Sequence, residues 1–154
     1  MADTPHWSPS ARKASSARER LTFAQRLLAG GTEPEWTVAA LVGLGHVAEA
    51  DGDLDSAEFS HRRAWRTAPG HAAALEGLAC VAAARSNAEA AARLVGAAAA
   101  WHRPAGRLER ADAHRAEQSA RTALGDKKFD AAYRAGHAEP DGVLDDGDRV
   151  PARR

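Results

Sequence analysis

Residues 41–69 read LVGLGHVAEADGDLDSAEFSHRRAWRTAP, and they contain two helical patterns joined by a tight turn. Leucine and alanine recur at helical spacing before the turn Asp51-Gly52-Asp53, and alanine recurs at the same spacing after it. Gly45 and Ala57 are small where the two helices of a hairpin would cross. The glycine of the turn permits a sharp reversal, and Pro69 ends the second helix. The segment therefore predicts a helical hairpin.

The same segment resembles one tetratricopeptide repeat, a helical hairpin with a period of about 34 residues. The matching positions are Leu41, Leu44, Gly45, Ala48, Gly52, Ala57, His61, Ala64 and Pro69. All of them suit the repeat except His61, which stands where the repeat has an aromatic residue. One period later a weaker match follows at Leu75, Leu78, Ala79, Ala82, Ser86, Ala91, Val95 and Ala98, with Pro104 one place late. The resemblance implies two hairpins in tandem.

The rest of the chain extends this pattern into an all-α fold. We expect helices over residues 10–29, from Thr32 to the turn at residues 51–53, and over 54–67, 71–84, 88–101, 108–124 and 126–135. The predicted architecture is a short tetratricopeptide-like solenoid of tandem antiparallel helical hairpins with C-terminal capping helices. Residues 1–10 are expected to form a disordered N-terminal tail, residues 11–137 the helical domain, and residues 138–154 a flexible acidic C-terminal tail.

Residues 38–137 also resemble a larger family. The runs ALEGLACVAAA at residues 74–84 and AARLVGA at residues 91–97 are similar to the C-terminal repeat region of large ATP-binding bacterial transcriptional regulators of the LuxR type. The later pattern Leu124-Gly125, Phe129, Ala132 and Gly136 belongs to the same resemblance. The chain has neither a G-x-x-x-x-G-K-[ST] phosphate loop nor a recognisable DNA-reading helix-turn-helix, so only the scaffold is implied.

Composition and charge exclude several classes of function. The 154 residues carry 21 basic and 21 acidic side chains, which argues against nucleic acid as a partner. The C-terminal segment is acidic at Glu139, Asp141, Asp145, Asp146 and Asp148, and it is expected to be solvated. Cys80 is the only cysteine, which fits a cytoplasmic protein, and no window is apolar enough to predict a secretion signal or a membrane span.

In a hairpin array of this kind the first helix of each pair lines the concave groove. Its register makes His46, Glu49, Glu76 and Cys80 the polar or reactive side chains expected on the exposed groove surface. His61 is expected to be buried and hydrogen-bonded, with Trp65 one turn later on the same helix. We expect Trp36, Trp65 and Trp101 to pack inside the fold. Trp7, in the N-terminal tail, is expected to dock on the groove or on another chain if it is ordered.

Neither a metal nor a cofactor is predicted. The chain has seven histidines, but they show none of the H-x-x-x-H, H-E-x-x-H or C-x-x-C spacings of metal sites. The leading hypothesis is therefore a non-catalytic interaction module whose groove binds a peptide, a partner protein or a second copy of the chain. The alternative is a small-molecule-binding protein or an enzyme, for example in a biosynthetic pathway, that uses the same groove as a pocket.

Overall fold

The computed structural model describes residues 34–101 and 111–144, and these residues are entirely helical or irregular, without a strand. The helices are α1 (Pro34–Ala50), α2 (Leu54–Thr67), α3 (Ala72–Ala84), α4 (Ala88–Trp101), α5 (Ala111–Leu124) and α6 (Asp126–Ala138), followed by a 3-10 turn at Gly142–Leu144. The all-α prediction is confirmed for this part of the chain. The helix predicted over residues 10–29, Trp7 and the break around Pro104 lie outside the described residues.

Local chemistry explains where the helices begin and end. Asp53 caps α2, because its carboxylate accepts a hydrogen bond of 3.0 Å from the backbone N–H of Ser56. Gly52 before it has a φ of 81°, a left-handed conformation that glycine adopts without strain. The boundaries of α2 and α4 agree with those expected from the sequence, and α3 begins one residue later.

Helices that follow one another in the chain are packed against each other. α1 packs on α2 and α3 on α4, while α3 also contacts α1 on one side and α5 on the other. The last helix differs, because α6 packs mainly on α4 rather than on its chain neighbour α5. Gly96 of α4 and Gly136 of α6 make this close crossing feasible: a Cβ on Gly136 would lie 2.9 Å from the Cα of Arg93.

The core is thin and rich in alanine, as the composition indicates. Its larger part joins side chains of α1 to α5, among them Val38, Leu41, Leu75, Leu78 and Leu94. A smaller cluster between α4, α5 and α6 is centred on Phe129, which is 1 % exposed. Most of the other buried side chains are alanines, so the helices approach closely and glycine replaces alanine where backbones touch.

Three features differ from the expectations. The last helix runs to Ala138 rather than Ala135, and Gly136 is buried within it. The chain then turns back so that Val143 and Leu144 lie half-buried against the core. Trp36 and Trp101 were expected to pack, but Trp36 is 68 % exposed on α1 and Trp101 is 37 % exposed at the end of α4. Trp65 is buried as expected, and it meets the ring of Trp101 edge-on at 6.3 Å. None of the described helices is long and apolar enough to cross a bilayer.

Candidate functional site

A network of polar side chains links three helices that are not neighbours in the chain. The Nη2 atom of Arg115 on α5 lies 3.1 Å from Oε1 of Glu49 on α1 and 3.0 Å from Oδ1 of Asp112. His46 Nε2 lies 3.4 Å from Oδ2 of Asp112, and His46 Nδ1 lies 3.8 Å from Oε2 of Glu49. α3 lies between these two helices and contributes Cys80. The network therefore joins α1, α3 and α5 along one side of the protein.

Cys80 is held at the base of this network. Its Sγ donates to the backbone carbonyl of Asp112 at 3.3 Å and accepts from Nη2 of Arg115 at 3.5 Å. Burial, reinforced by the carboxylate of Glu49, raises the pKa of the thiol to about 11. The sulfur is thus protonated at neutral pH, and a thiol in that state is a poor nucleophile. Cys80 was expected on the exposed groove surface, but it is only 4 % exposed.

His61 lies beneath the network in a cradle formed by two glycines. The ring is fully buried between Gly45 of α1 and Gly77 of α3. Its edge-on neighbour is the ring of His46, at a centroid distance of 5.0 Å. Burial, with the nearby His46, lowers the pKa of His61 to about 4, so the ring is neutral at pH 7. The prediction of a buried histidine is confirmed. The expected hydrogen bond is not found, since neither ring nitrogen has a partner among the described residues.

Two further predicted site residues are buried and belong to the interior. Glu76 was expected on the exposed surface of the groove, yet only 2 % of it is accessible. It lies on the helical stretch from Ala74 to Val81, which is buried on all sides because α1, α2, α4 and α5 all contact α3. Trp65 is 9 % exposed and part of the main core. Of the six predicted residues, only His46 and Glu49 are partly open to solvent.

A shallow cavity of about 200 Å³ opens beside the network. It is lined by Glu49, Cys80, Ala83, Ala84, Arg115, Ala116 and Ser119. We call this surface, with His46 and Asp112 at its edge, the α1–α3–α5 groove. Within residues 34–101 and 111–144, no three His, Cys, Asp or Glu side chains are arranged to hold a metal ion.

Sequence reasoning did not identify the contribution of α5. A signal was present: Asp112, Arg115 and Ser119 follow one another at helical spacing beside the buried pair Ala116 and Ala120. Such a stripe marks polar side chains at the edge of a packed helix face. It did not indicate which other helix α5 would contact, because residues 102–110 separate it from the two predicted hairpins.

Comparison of the chain with protein-family models, with curated proteins and with solved structures found no match in any of the three.

Proposed function

We propose that this protein is a non-catalytic interaction module, a short tetratricopeptide-like array that binds a peptide segment of a partner in the α1–α3–α5 groove. The observation that carries the proposal is the network of Glu49, Arg115, Asp112 and His46, which joins α1 to α5 and is contacted from α3 by Cys80. The first helix of each pair lines the binding groove of a tetratricopeptide array. The contacts of α3 with α1 and with α5 support that arrangement here.

The charges of the groove favour a partner segment with a basic side chain. Glu49 and Asp112 are held together by Arg115, which is the most exposed member of the network, with 59 % of its side chain accessible. Because the side chain of Arg115 is more than half exposed, a guanidinium or ammonium group of a ligand can take its place between the carboxylates. Such an exchange retains the ion pairs, and it releases Arg115 to contact the ligand backbone.

The chemistry of Cys80 and His61 argues against either residue as a catalytic group. The thiol of Cys80 has a pKa of about 11, and His61 has no solvent-accessible surface. Both are poorly suited to nucleophilic or acid–base catalysis at neutral pH. The groove cavity, at about 200 Å³, is also smaller than the roughly 300–1,000 Å³ of typical small-molecule pockets. A peptide side chain fits this space better than a cofactor does.

The test is a selection of random 12-residue peptides displayed on phage against the full chain, followed by fluorescence anisotropy with the selected peptides. We expect the selected sequences to share an arginine or lysine, and E49Q combined with D112N to weaken binding by about tenfold or more. D130N is the matched control, because Asp130 is an exposed carboxylate that pairs with Arg121 on a different surface. The proposal would be overturned if the selected peptides lacked a basic residue. It would also be overturned if D130N weakened peptide binding as much as E49Q combined with D112N does.

A further inference from the structure

The central helix α3 is apolar on nearly every side. Apart from Glu76, its sequence AAALEGLACVAAA offers only small or apolar residues, so each side of the helix has to be shielded from water. At about 100° per residue, Leu78, Val81 and Ala82 share one side of it. Cys80, which lines the α1–α3–α5 groove, lies on the opposite side. The side of α3 that carries Leu78 is therefore a second, separate surface.

A cavity of about 390 Å³ opens over this second surface. Leu78 and Val81 of α3 form its floor together with Leu94 of α4. α2 and α4 flank the cavity rather than packing extensively on each other, so the two helices leave this side of α3 incompletely covered. The cavity is large enough to accept side chains from another segment.

The charged side chains at the mouth of the cavity already have partners. Arg62 Nε lies 2.7 Å from Glu58 Oε1, and Arg85 pairs with both Glu58 and Asp55. Arg93, the third arginine of the lining, is engaged as well. A charged ligand would have to compete with these existing interactions. The cavity therefore favours an occupant that it recognises by aliphatic side chains.

The chain covers part of this cavity with its own 3-10 turn. After α6 it reverses direction at Pro140 and Asp141, and Val143 and Leu144 are then half-buried in the cavity lining. The turn contacts α4. Within the described ranges, no backbone hydrogen bond joins residues 142–144 to a helix. The attachment of the turn therefore depends on the burial of two aliphatic side chains.

This turn does not fill the cavity. The volume of about 390 Å³ stays open beside Val143 and Leu144, and both side chains keep part of their surface exposed. A partner segment with two aliphatic side chains can bury more of the apolar floor than the turn does. The advantage of the turn is its tether, which keeps it at a high effective concentration beside the cavity.

We propose that the cavity between α2 and α4 is a peptide-binding site for a pair of adjacent aliphatic side chains, and that Val143 and Leu144 occupy it in cis as an autoinhibitory contact. An aliphatic segment of a partner protein binds there when it displaces the turn. This inference is independent of the proposed function, because the cavity and the α1–α3–α5 groove lie on opposite sides of α3 and share no residue.

Binding of the chain's own segment in trans tests the proposal. The probe is the peptide EPDGVL, residues 139–144 with blocked ends, titrated to millimolar concentration into the ¹⁵N-labelled full chain. The wild type is compared with V143S combined with L144S, which removes both aliphatic side chains from the turn. In that double variant, A90F narrows the cavity from its wall, and S119F is the matched control in the α1–α3–α5 groove. L144S alone replaces the double variant if that protein fails to fold.

We expect EPDGVL to bind the double variant at least about fivefold more tightly than the wild type, where the tethered turn competes with it. Amide shifts near Leu78, Val81 and Ala90 should accompany binding. A90F is expected to abolish binding and S119F to leave it unchanged. The peptide EPDGSS, which lacks the aliphatic pair, is expected not to bind.

Equal affinity of EPDGVL for the wild type and the double variant would overturn the autoinhibitory contact. No binding to the double variant would overturn the peptide site itself, and equal binding of EPDGSS would overturn recognition of an aliphatic pair. Sedimentation velocity identifies a second copy as the occupant: a wild-type dimer that becomes a monomer with V143S and L144S would overturn occupancy in cis.

Discussion

The glycine cradle around His61 provides a quantitative test of the packing. A Cβ built on Gly77 would lie 2.5 Å from Nε2 of the ring and nearer still to Cε1 and Nδ1. The ring has no space to retreat, because Gly45 contacts it from α1 and none of its surface is exposed. Overpacking a closed site of this kind costs about 3 kcal/mol. Replacing glycine by alanine inside a helix raises the free energy of unfolding by about 1 kcal/mol, because alanine has the higher helix propensity.

G77A is therefore expected to lower the free energy of unfolding by about 2 kcal/mol, which corresponds to a midpoint temperature about 8 °C lower. The same substitution in an H61A background has no ring to meet, so only the helix-propensity gain of about 1 kcal/mol remains. The sign of the G77A effect thus reverses, and the coupling between the two positions is about 3 kcal/mol. Urea unfolding monitored by circular dichroism measures all four proteins of the cycle.

G43A is the matched control, since a Cβ on Gly43 of α1 meets nothing within 4 Å. It is expected to stabilise the protein by up to about 1 kcal/mol. If G77A were neutral in the wild-type chain, or equally destabilising with and without His61, the close packing of this ring between α1 and α3 would be refuted.

Three further predictions concern single residues. The pKa of His61 falls from 6.5 in the unfolded chain to about 4 in the fold. The neutral ring therefore contributes to the free energy of unfolding above pH 6.5, and this contribution is lost as the pH falls toward 4. We expect acid to remove up to about 3 kcal/mol over that range, and H61L to abolish most of this loss in urea titrations at each pH. G136A places a Cβ against the backbone of Arg93, which cannot move aside as a side chain can. We expect thermal unfolding to show that the free energy of unfolding falls by about 3 kcal/mol. Cys80, with its raised pKa, is expected to react with iodoacetamide at pH 8 at least about tenfold more slowly in the native than in the urea-unfolded protein; equal rates would show that the thiol is accessible.

The helices were predictable because their limits depend on local chemistry. Gly52 and the cap at Asp53 specify the turn between α1 and α2 within a few residues, and helical spacing of leucine and alanine specifies the faces that pack. The end of α6 was not predictable in this way. Gly136 is a weak helix former, and it remains helical because α4 packs against it, a tertiary contact that no local pattern contains.

The candidate site was predictable only in part, for a similar reason. Helical register placed His46 and Glu49 correctly on a partly exposed side of α1. Glu76 and Cys80 follow the same register on α3, but α3 is enclosed by four helices, so the same positions are buried there. Asp112 and Arg115 complete the network from a helix whose placement depends on contacts distant in sequence.

The most direct test of the proposed groove is the map of amide shifts that a selected peptide causes in the ¹⁵N-labelled full chain. We expect the largest changes at His46, Glu49, Ala83, Asp112 and Arg115, with little change on the exposed surface of α6. E49Q combined with D112N should remove this pattern while the remaining spectrum stays folded. Shifts concentrated on α2, α4 or α6 instead would contradict the assignment of the α1–α3–α5 groove as the binding surface.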